Sequence, residues 1–188
     1  EKSEGFRSLF DGLSLNNWNG NTKDYMAENG NIVIYPSEGG QGGGGNLYTN
    51  EEFTDFIFRF EFLLTPGANN GLGVRAFPEG EGTNTGGMEL QILDNDAEIY
   101  RNIKEYQYHG SVYGVIPAKP GFLKPVGEWN YQEVIMKGTR ITINLNGTTI
   151  LDGDLAEATK NGTMDGQAHP EIKNPGGHIG FLGHGSVV

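Results

Sequence analysis

Phe56-Ile57-Phe58-Arg59-Phe60-Glu61-Phe62-Leu63-Leu64 places a phenylalanine at every second position from 56 to 62. Side chains of a strand alternate between its two faces, so Phe56, Phe58, Phe60 and Phe62 share one side and Ile57, Arg59, Glu61 and Leu63 the other. Four aromatic rings on one face need a second layer to bury them, whereas an opposite-sign pair suits the less apolar face. The stretch reads as a strand of one sheet in a two-sheet sandwich.

The neighbouring segments support that reading. Gly71 to Phe77 is expected to be a strand with Arg75 opposite Leu72, Val74 and Ala76. Gly87-Met88-Glu89-Leu90-Gln91-Ile92-Leu93-Asp94-Asn95-Asp96 sets Met88, Leu90 and Ile92 against Glu89 and Gln91, a pattern for one buried face and one that looks into a cleft. Asp94 follows Gln91 by three residues, so a bulge is needed to return it to the polar face. From Trp129, expected in the core, a meander runs through Tyr131–Lys137, a turn at Gly138, Arg140–Leu145, Asn146-Gly147 and Thr148–Leu151. Asn-Gly between alternating strands is the strongest short hairpin signal. Asn31 to Tyr35 and His178 to Val188 add further strands, Asp11-Gly12 a turn, and Leu155 to Thr159 a single helical turn. Roughly ten short strands with turn signals between them indicate an all-β sandwich, in which one sheet can curve and leave its outer face as a groove.

Composition bounds the function. The chain of 188 residues fits one domain. Its 31 Gly suit tight turns, and 10 Phe, 8 Tyr and 2 Trp can supply a core. A formal charge of -11 argues against nucleic acid or an anionic membrane as partner and is compatible with a neutral ligand such as a sugar. Zero Cys removes thiolate catalysis and Cys-ligated zinc. No run approaches the ~20 apolar residues of a membrane span, and the polar start Glu1-Lys2-Ser3-Glu4 carries no signal peptide. The glycine-rich stretch from Pro36 to Asn46 lacks the Lys-Ser/Thr of a phosphate loop and reads as a surface loop, as does Pro78 to Gly87. Asp94, Asp96 and Glu98 have Ile99 where a calcium loop needs glycine. Asp96 to Pro125, with Tyr113, His109 and Lys124, has poor periodicity, and long ordered connections tend to carry function.

Five pieces in order, Ser8-Leu9-Phe10-Asp11-Gly12 with Trp18, Leu47-Tyr48-Thr49, Asn69-Asn70-Gly71 with Arg75, Glu89-Leu90-Gln91-Ile92-Leu93-Asp94, and Lys124-Pro125-Val126-Gly127-Glu128-Trp129-Asn130, resemble the 3-keto-disaccharide hydrolase family. That family is also described as 3-keto-glucoside 1,2-lyase and 3-keto-2-hydroxyglucal hydratase. The resemblance runs over nearly the whole chain and implies a single domain over residues 1–188. It implies a concanavalin A-like lectin/glucanase jelly roll, exported from bacteria to the periplasm or cell surface, with a lipoprotein form among the alternatives. The partners implied are glycoside or oligosaccharide substrates already oxidised at C3. Family members continue past Gly183-His184-Gly185 into a strand of Arg-Asn-Ile type, and this chain stops at Val188, so a closing strand is expected to be missing. A looser likeness is to retaining glycanases of laminarinase type, which carry E-x-D-x-x-E; Glu89, Gln91 and Asp94 fall on that spacing.

A ketone at C3 acidifies the C2–H, and a general base can remove it, with the C1 substituent leaving by elimination and water adding back. The family context makes Glu89 the first candidate for the central carboxylate, with Asp94 as acid, His109 as proton shuttle and Arg75 as enolate partner. Gln91, Arg59, Tyr113, Lys124 and His184 are candidate sugar contacts, His184 by its family position; His178 is expected to be structural. Glu89 and Asp94 are also the candidate ligands of a divalent metal ion, the one cofactor left open. A carbohydrate-binding module without chemistry and a retaining glycanase are the alternatives.

Overall fold

The computed structural model describes residues 2–36, 45–78, 86–185 and 188. The glycine-rich stretch at 37–44 and most of the loop at 79–85 lie outside the described residues. Strands β1 (Trp18–Gly20), β2 (Tyr25–Glu28), β3 (Asn31–Ile34), β4 (Asn46–Phe53), β5 (Phe56–Leu63) and β6 (Asn69–Phe77) occupy the first half. The second half contains β7 (Gly86–Leu93), β8 (Trp129–Lys137), β9 (Arg140–Leu145), β10 (Thr148–Asp154), the single-turn helix α1 (Leu155–Ala158) and β11 (Gly177–Gly183). No helix among the described residues is long and apolar enough to cross a membrane.

Two antiparallel sheets face each other, β1-β4-β11-β6-β7 and β10-β9-β8-β5, with β2-β3 as a separate hairpin. This is the expected all-β jelly-roll sandwich. The phenylalanine ladder does what its spacing requires: Phe56, Phe58, Phe60 and Phe62 pair across β8 with Met136, Val134, Gln132 and Asn130, on the side that packs against the opposite sheet. Leu72, Val74, Leu90, Ile92 and Ile179 come from that sheet and meet Val134, Ile141 and Ile143 in one continuous core. Asn146 and Gly147 have φ of 50° and 84°, both left-handed, which gives the tight turn its sequence predicts. α1 forms because the Asp154 carboxylate accepts a hydrogen bond from the Glu157 amide at its start.

Two expectations are corrected here. Arg75 sits at a bulge with φ of 49°, where the register of β6 shifts against both neighbours, so Ala76 leaves the face of Leu72 and Val74 and packs with Tyr48 and Leu182. Trp129 is 44% exposed, because it takes the outward position in the alternation of β8. Among the described residues β5 pairs only with β8, and its phenylalanines line a cavity of about 1520 Å³ together with Phe181 and Val188.

Candidate active site

The outer face of the five-stranded sheet is set by the pleat of β7. Leu90 and Ile92 are 0% and 2% exposed in the core, which turns Glu89, Gln91 and Leu93 outward. β7 is unbroken from Met88 to Leu93 in its pairing with β6, so Asp94 receives no bulge. The long connection after β7 folds back onto its free edge. The Gln91 amide donates to the Ser111 carbonyl at 3.0 Å, the Gly110 amide to Gln91 at 2.8 Å and the Tyr113 amide to Glu89 at 3.0 Å. This short added pairing, with Leu90 opposite Val112, gives Tyr113 the same facing as Glu89.

A pocket of about 340 Å³ results. Its floor is Glu89, Gln91, Leu93 and Asn69; its wall is Tyr100, Ile103, Gln107 and Tyr113 from two short 3₁₀ turns and the loop; His184, just past β11, closes the rim. Glu89 Oε1 lies 2.7 Å from His184 Nε2, with side chains 22% and 38% exposed. The hydrogen bond to Glu89 outweighs the desolvation of the ring and raises the His184 pKa above the usual 6.5. The other polar groups are fixed in advance. Gln91 Nε2 donates to Asn69 Oδ1 at 3.3 Å, and Gln107 Nε2 to the Tyr113 hydroxyl at 3.0 Å. Tyr106 packs edge-on against Tyr113 at 5.9 Å, and the Tyr100 hydroxyl donates to the Gly67 carbonyl.

Of the residues singled out from sequence, Glu89, Gln91, Tyr113 and His184 meet in this pocket, and five others do not. Asp94 is 6% exposed on the core side, and its Oδ2 accepts from the Gly67 amide at 2.8 Å, pinning the turn before β6. It therefore forms no acid pair or shared metal site with Glu89. Among the described residues no group of three or more His, Asp or Glu side chains is arranged to hold a metal ion. His109 is 1% exposed, stacked on Phe62 at 5.0 Å, with Nε2 2.8 Å from Gln132 Oε1 and Nδ1 facing the Leu93 amide. Burial pushes its pKa down to about 4, so it is neutral near pH 7 and has no access to a substrate. Arg75 turns to the β4–β5 corner, where Nε and Nη2 bond the Thr54 carbonyl at 3.0 and 2.9 Å and Nη1 reaches Asn174. Arg59 lies on the outer face of the other sheet, 2.7 Å from Glu133 and under the ring of Phe6. Lys124 Nζ donates to the Trp129 carbonyl.

Sequence reasoning missed Asn69, Tyr100, Ile103 and Gln107. Asn69 shares the facing of Gly71 two residues on, a parity that was available; the other three depend on how an aperiodic loop folds. His178, expected to be structural, has Nδ1 2.7 Å from the Thr49 carbonyl and is 8% exposed.

Comparison with known proteins accounts for nearly all of the chain. A curated relative, the 3-keto-disaccharide hydrolase of Bacteroides thetaiotaomicron, is 28% identical over 220 residues, covering 99% of this chain and 76% of the relative. Two crystal structures of proposed glycosyl hydrolases from Parabacteroides distasonis superpose with TM-scores of 0.77 and 0.80 at 25% and 22% identity. They cover 90% and 99% of this chain and 87% and 91% of their own. A carbohydrate-binding module from Bacillus subtilis shares the fold at TM-score 0.52 and 11% identity, covering 90% of this chain and 87% of the module. The family model described as 3-keto-alpha-glucoside-1,2-lyase-like matches residues 5–188, and the chain belongs to that family.

Proposed function

We propose that this carbohydrate-active protein is an enzyme acting on glycosides already oxidised to a ketone at C3, with Glu89 as general base and His184 as proton donor. The observation that carries the reading is the Glu89–His184 pair at 2.7 Å, facing a pocket of about 340 Å³. That volume is near the lower end for ligand sites, room for one sugar ring, which leaves the aglycone outside.

Glu89 takes the C2 proton, and the C–H electron pair moves into the C2–C3 bond while the ketone oxygen becomes an enolate. Collapse of the enolate restores the carbonyl, forms C1=C2 and expels the C1 oxygen, which takes a proton from the His184 imidazolium. Water then adds across C1=C2, hydroxyl to C1 and proton to C2, and the net result is hydrolysis. Arg75, Arg59 and Lys124 are engaged elsewhere, so neutral donors, Gln91 Nε2 and the Tyr113 hydroxyl, are the groups that face the enolate and ring hydroxyls. A retaining glycanase needs two carboxyl groups ~5–5.5 Å apart. Glu89 is the sole carboxylate among the described lining residues, which disfavours that alternative. Export to the periplasm or cell surface belongs to the same proposal.

The test is incubation with a 3-keto-glucoside and with its unoxidised parent, following enone-type absorbance and sugar release. Turnover of the keto sugar alone is expected. Turnover of the parent would favour the glycanase, and binding of either sugar without turnover the non-catalytic module.

A further inference from the structure

We infer that Gly71 is a positioning residue: the bare backbone at this point of β6 is the seat in which the Glu89 carboxylate lies, and it holds that carboxylate against His184. The inference rests on the role given to Glu89 above. In the register of β6 and β7, Glu89 stands opposite Gly73 and Gln91 opposite Gly71. The Glu89 side chain does not stay over its own partner; it leans one pair along the strand. A Cβ built at Gly71 would lie 2.2 Å from Glu89 Oε1, 2.8 Å from Cδ and 2.9 Å from Cγ. Any side chain at 71 occupies the space the carboxylate now fills.

Backbone freedom does not explain the residue. Gly71 is not among the positive-φ glycines, so other residues can adopt its conformation. Glycine inside a strand weakens it, which leaves close approach as the physical reason for this one. Leu182 of β11 pairs with Gly71 from the other side, and His184 follows two residues later with the same facing. The lean toward Gly71 is thus the lean that brings Glu89 to His184. Without it the carboxylate would stand over Gly73, one pair further from the imidazole.

The test uses Gly71→Ala, with Gly73→Ala as control. At 73 an added Cβ meets the side chains of Leu182 at 3.2 Å and Ala76 at 3.5 Å before any atom of Glu89. In Gly71→Ala the clash is with the far end of a flexible side chain, so Glu89 swings out and the sheet remains. The readout is the pKa of His184 by NMR titration of the histidine ring protons, beside Tm and steady-state kinetics. Gly71→Ala is expected to return the His184 pKa toward 6.5, because the bond to Glu89 raises it. It should lower kcat about 100-fold, the effect of a ~1 Å misplacement, with KM little changed. Gly73→Ala should leave the His184 pKa where it is. An unaltered His184 pKa in Gly71→Ala overturns the proposal, as does an equal shift in Gly73→Ala. The titration needs no substrate, so it stands or falls separately from the keto-sugar chemistry. Should Gly71→Ala prove too unstable, the same change in a Glu89→Ala background decides: with the carboxylate gone it should not lower Tm, and a loss there would make Gly71 a backbone requirement and refute the seat.

Discussion

Acidification from pH 7.5 to 4.5 should weaken the fold through His109, and the size of the loss follows from where that ring sits. The folded protein holds His109 neutral, fully buried against Phe62, with a pKa of about 4 against an ordinary 6.5. Its folded pKa is lowered, so the stability it contributes is complete above 6.5. As the pH falls below 6.5 the unfolded chain binds a proton that the folded protein does not, and the loss grows until about pH 4. For those two values the loss is about 1.4 kcal/mol at pH 5.5 and about 2.6 kcal/mol at pH 4.5, approaching about 3.4 kcal/mol at the limit. Other groups titrate over the same span. His169, held by Asp165 and Glu171 strongly enough to overcome its burial, has a raised pKa and changes in the opposite sense. The assay is therefore a difference: urea unfolding of the parent and of His109→Gln at pH 7.5, 5.5 and 4.5. Distant groups cancel between the two proteins. The parent's advantage at pH 7.5 should shrink by the amounts above. A gap independent of pH would refute the buried neutral ring, and a His109 resonance titrating near 6.5 in the folded protein would reopen its use as a proton shuttle.

Glu89→Gln keeps the shape and one hydrogen bond to His184 but cannot accept a proton; turnover should fall at least ~1000-fold with Tm unchanged, and full activity would remove Glu89 from the mechanism. With His184 as acid, the active form is the imidazolium. Activity should be lost as pH rises through its elevated pKa, above 6.5, and Glu89→Gln should shift the His184 titration to lower pH in the free protein, which NMR can follow. Arg75→Met removes the donors for the Thr54 and Asn174 carbonyls at a side chain 7% exposed, and should cost about 2–4 kcal/mol in urea unfolding while leaving KM for the keto sugar within about twofold.

The layers of the fold could be read locally because period-two alternation is a local property. Phe56 to Phe62, Met88 to Ile92 and the Asn146-Gly147 turn each carry their own geometry. The same parity identified Glu89 and Gln91. It failed where distant chain intervenes. The bulge at Arg75 is fixed by partners such as Asn174, whose Nδ2 donates to the Arg75 carbonyl across 99 residues of sequence. His109 lies in the loop that builds the pocket, yet its ring turns inward, where Gln132 on β8, opposite Phe60, offers a buried oxygen to its Nε2. Neither partner is near in sequence, and histidine and arginine are equally at home in a site or a clasp. Tyr100 and Gln107 were hidden for a different reason: 3₁₀ turns of three residues have no period long enough to assign a facing.

The distribution of charge around β7 bears on which chemistry the pocket can run. Most glycosidases that act at an unactivated anomeric carbon use a second carboxyl, as nucleophile or to activate water, opposite the first. Here the second acid of the E-x-Q-x-x-D spacing is turned into the core by the unbroken pleat, and the middle position is an amide. In the proposed reading, what remains among the described lining residues is one carboxylate, Glu89, hydrogen-bonded to one imidazole, His184, without the second carboxyl that the two-carboxylate glycosidases set across the sugar. Acting as base and acid, that pair breaks a glycosidic bond by elimination when the substrate provides its own electron sink next to the carbon that loses the proton. A ketone at C3 is that sink, one bond from C2 and two from C1. In the proposed reading, the loss of Asp94 from the pocket is thus the feature that makes prior oxidation of the sugar a requirement. Moving a carboxylate back onto that face, as in Gln91→Glu, should not create activity on the unoxidised parent, because Gln91 shares the strand and facing of Glu89 and a second acid there would lie beside the first rather than across the sugar from it. Release of sugar from the parent glycoside by Gln91→Glu would show that a second acid alone suffices, and the dependence on the ketone would fall.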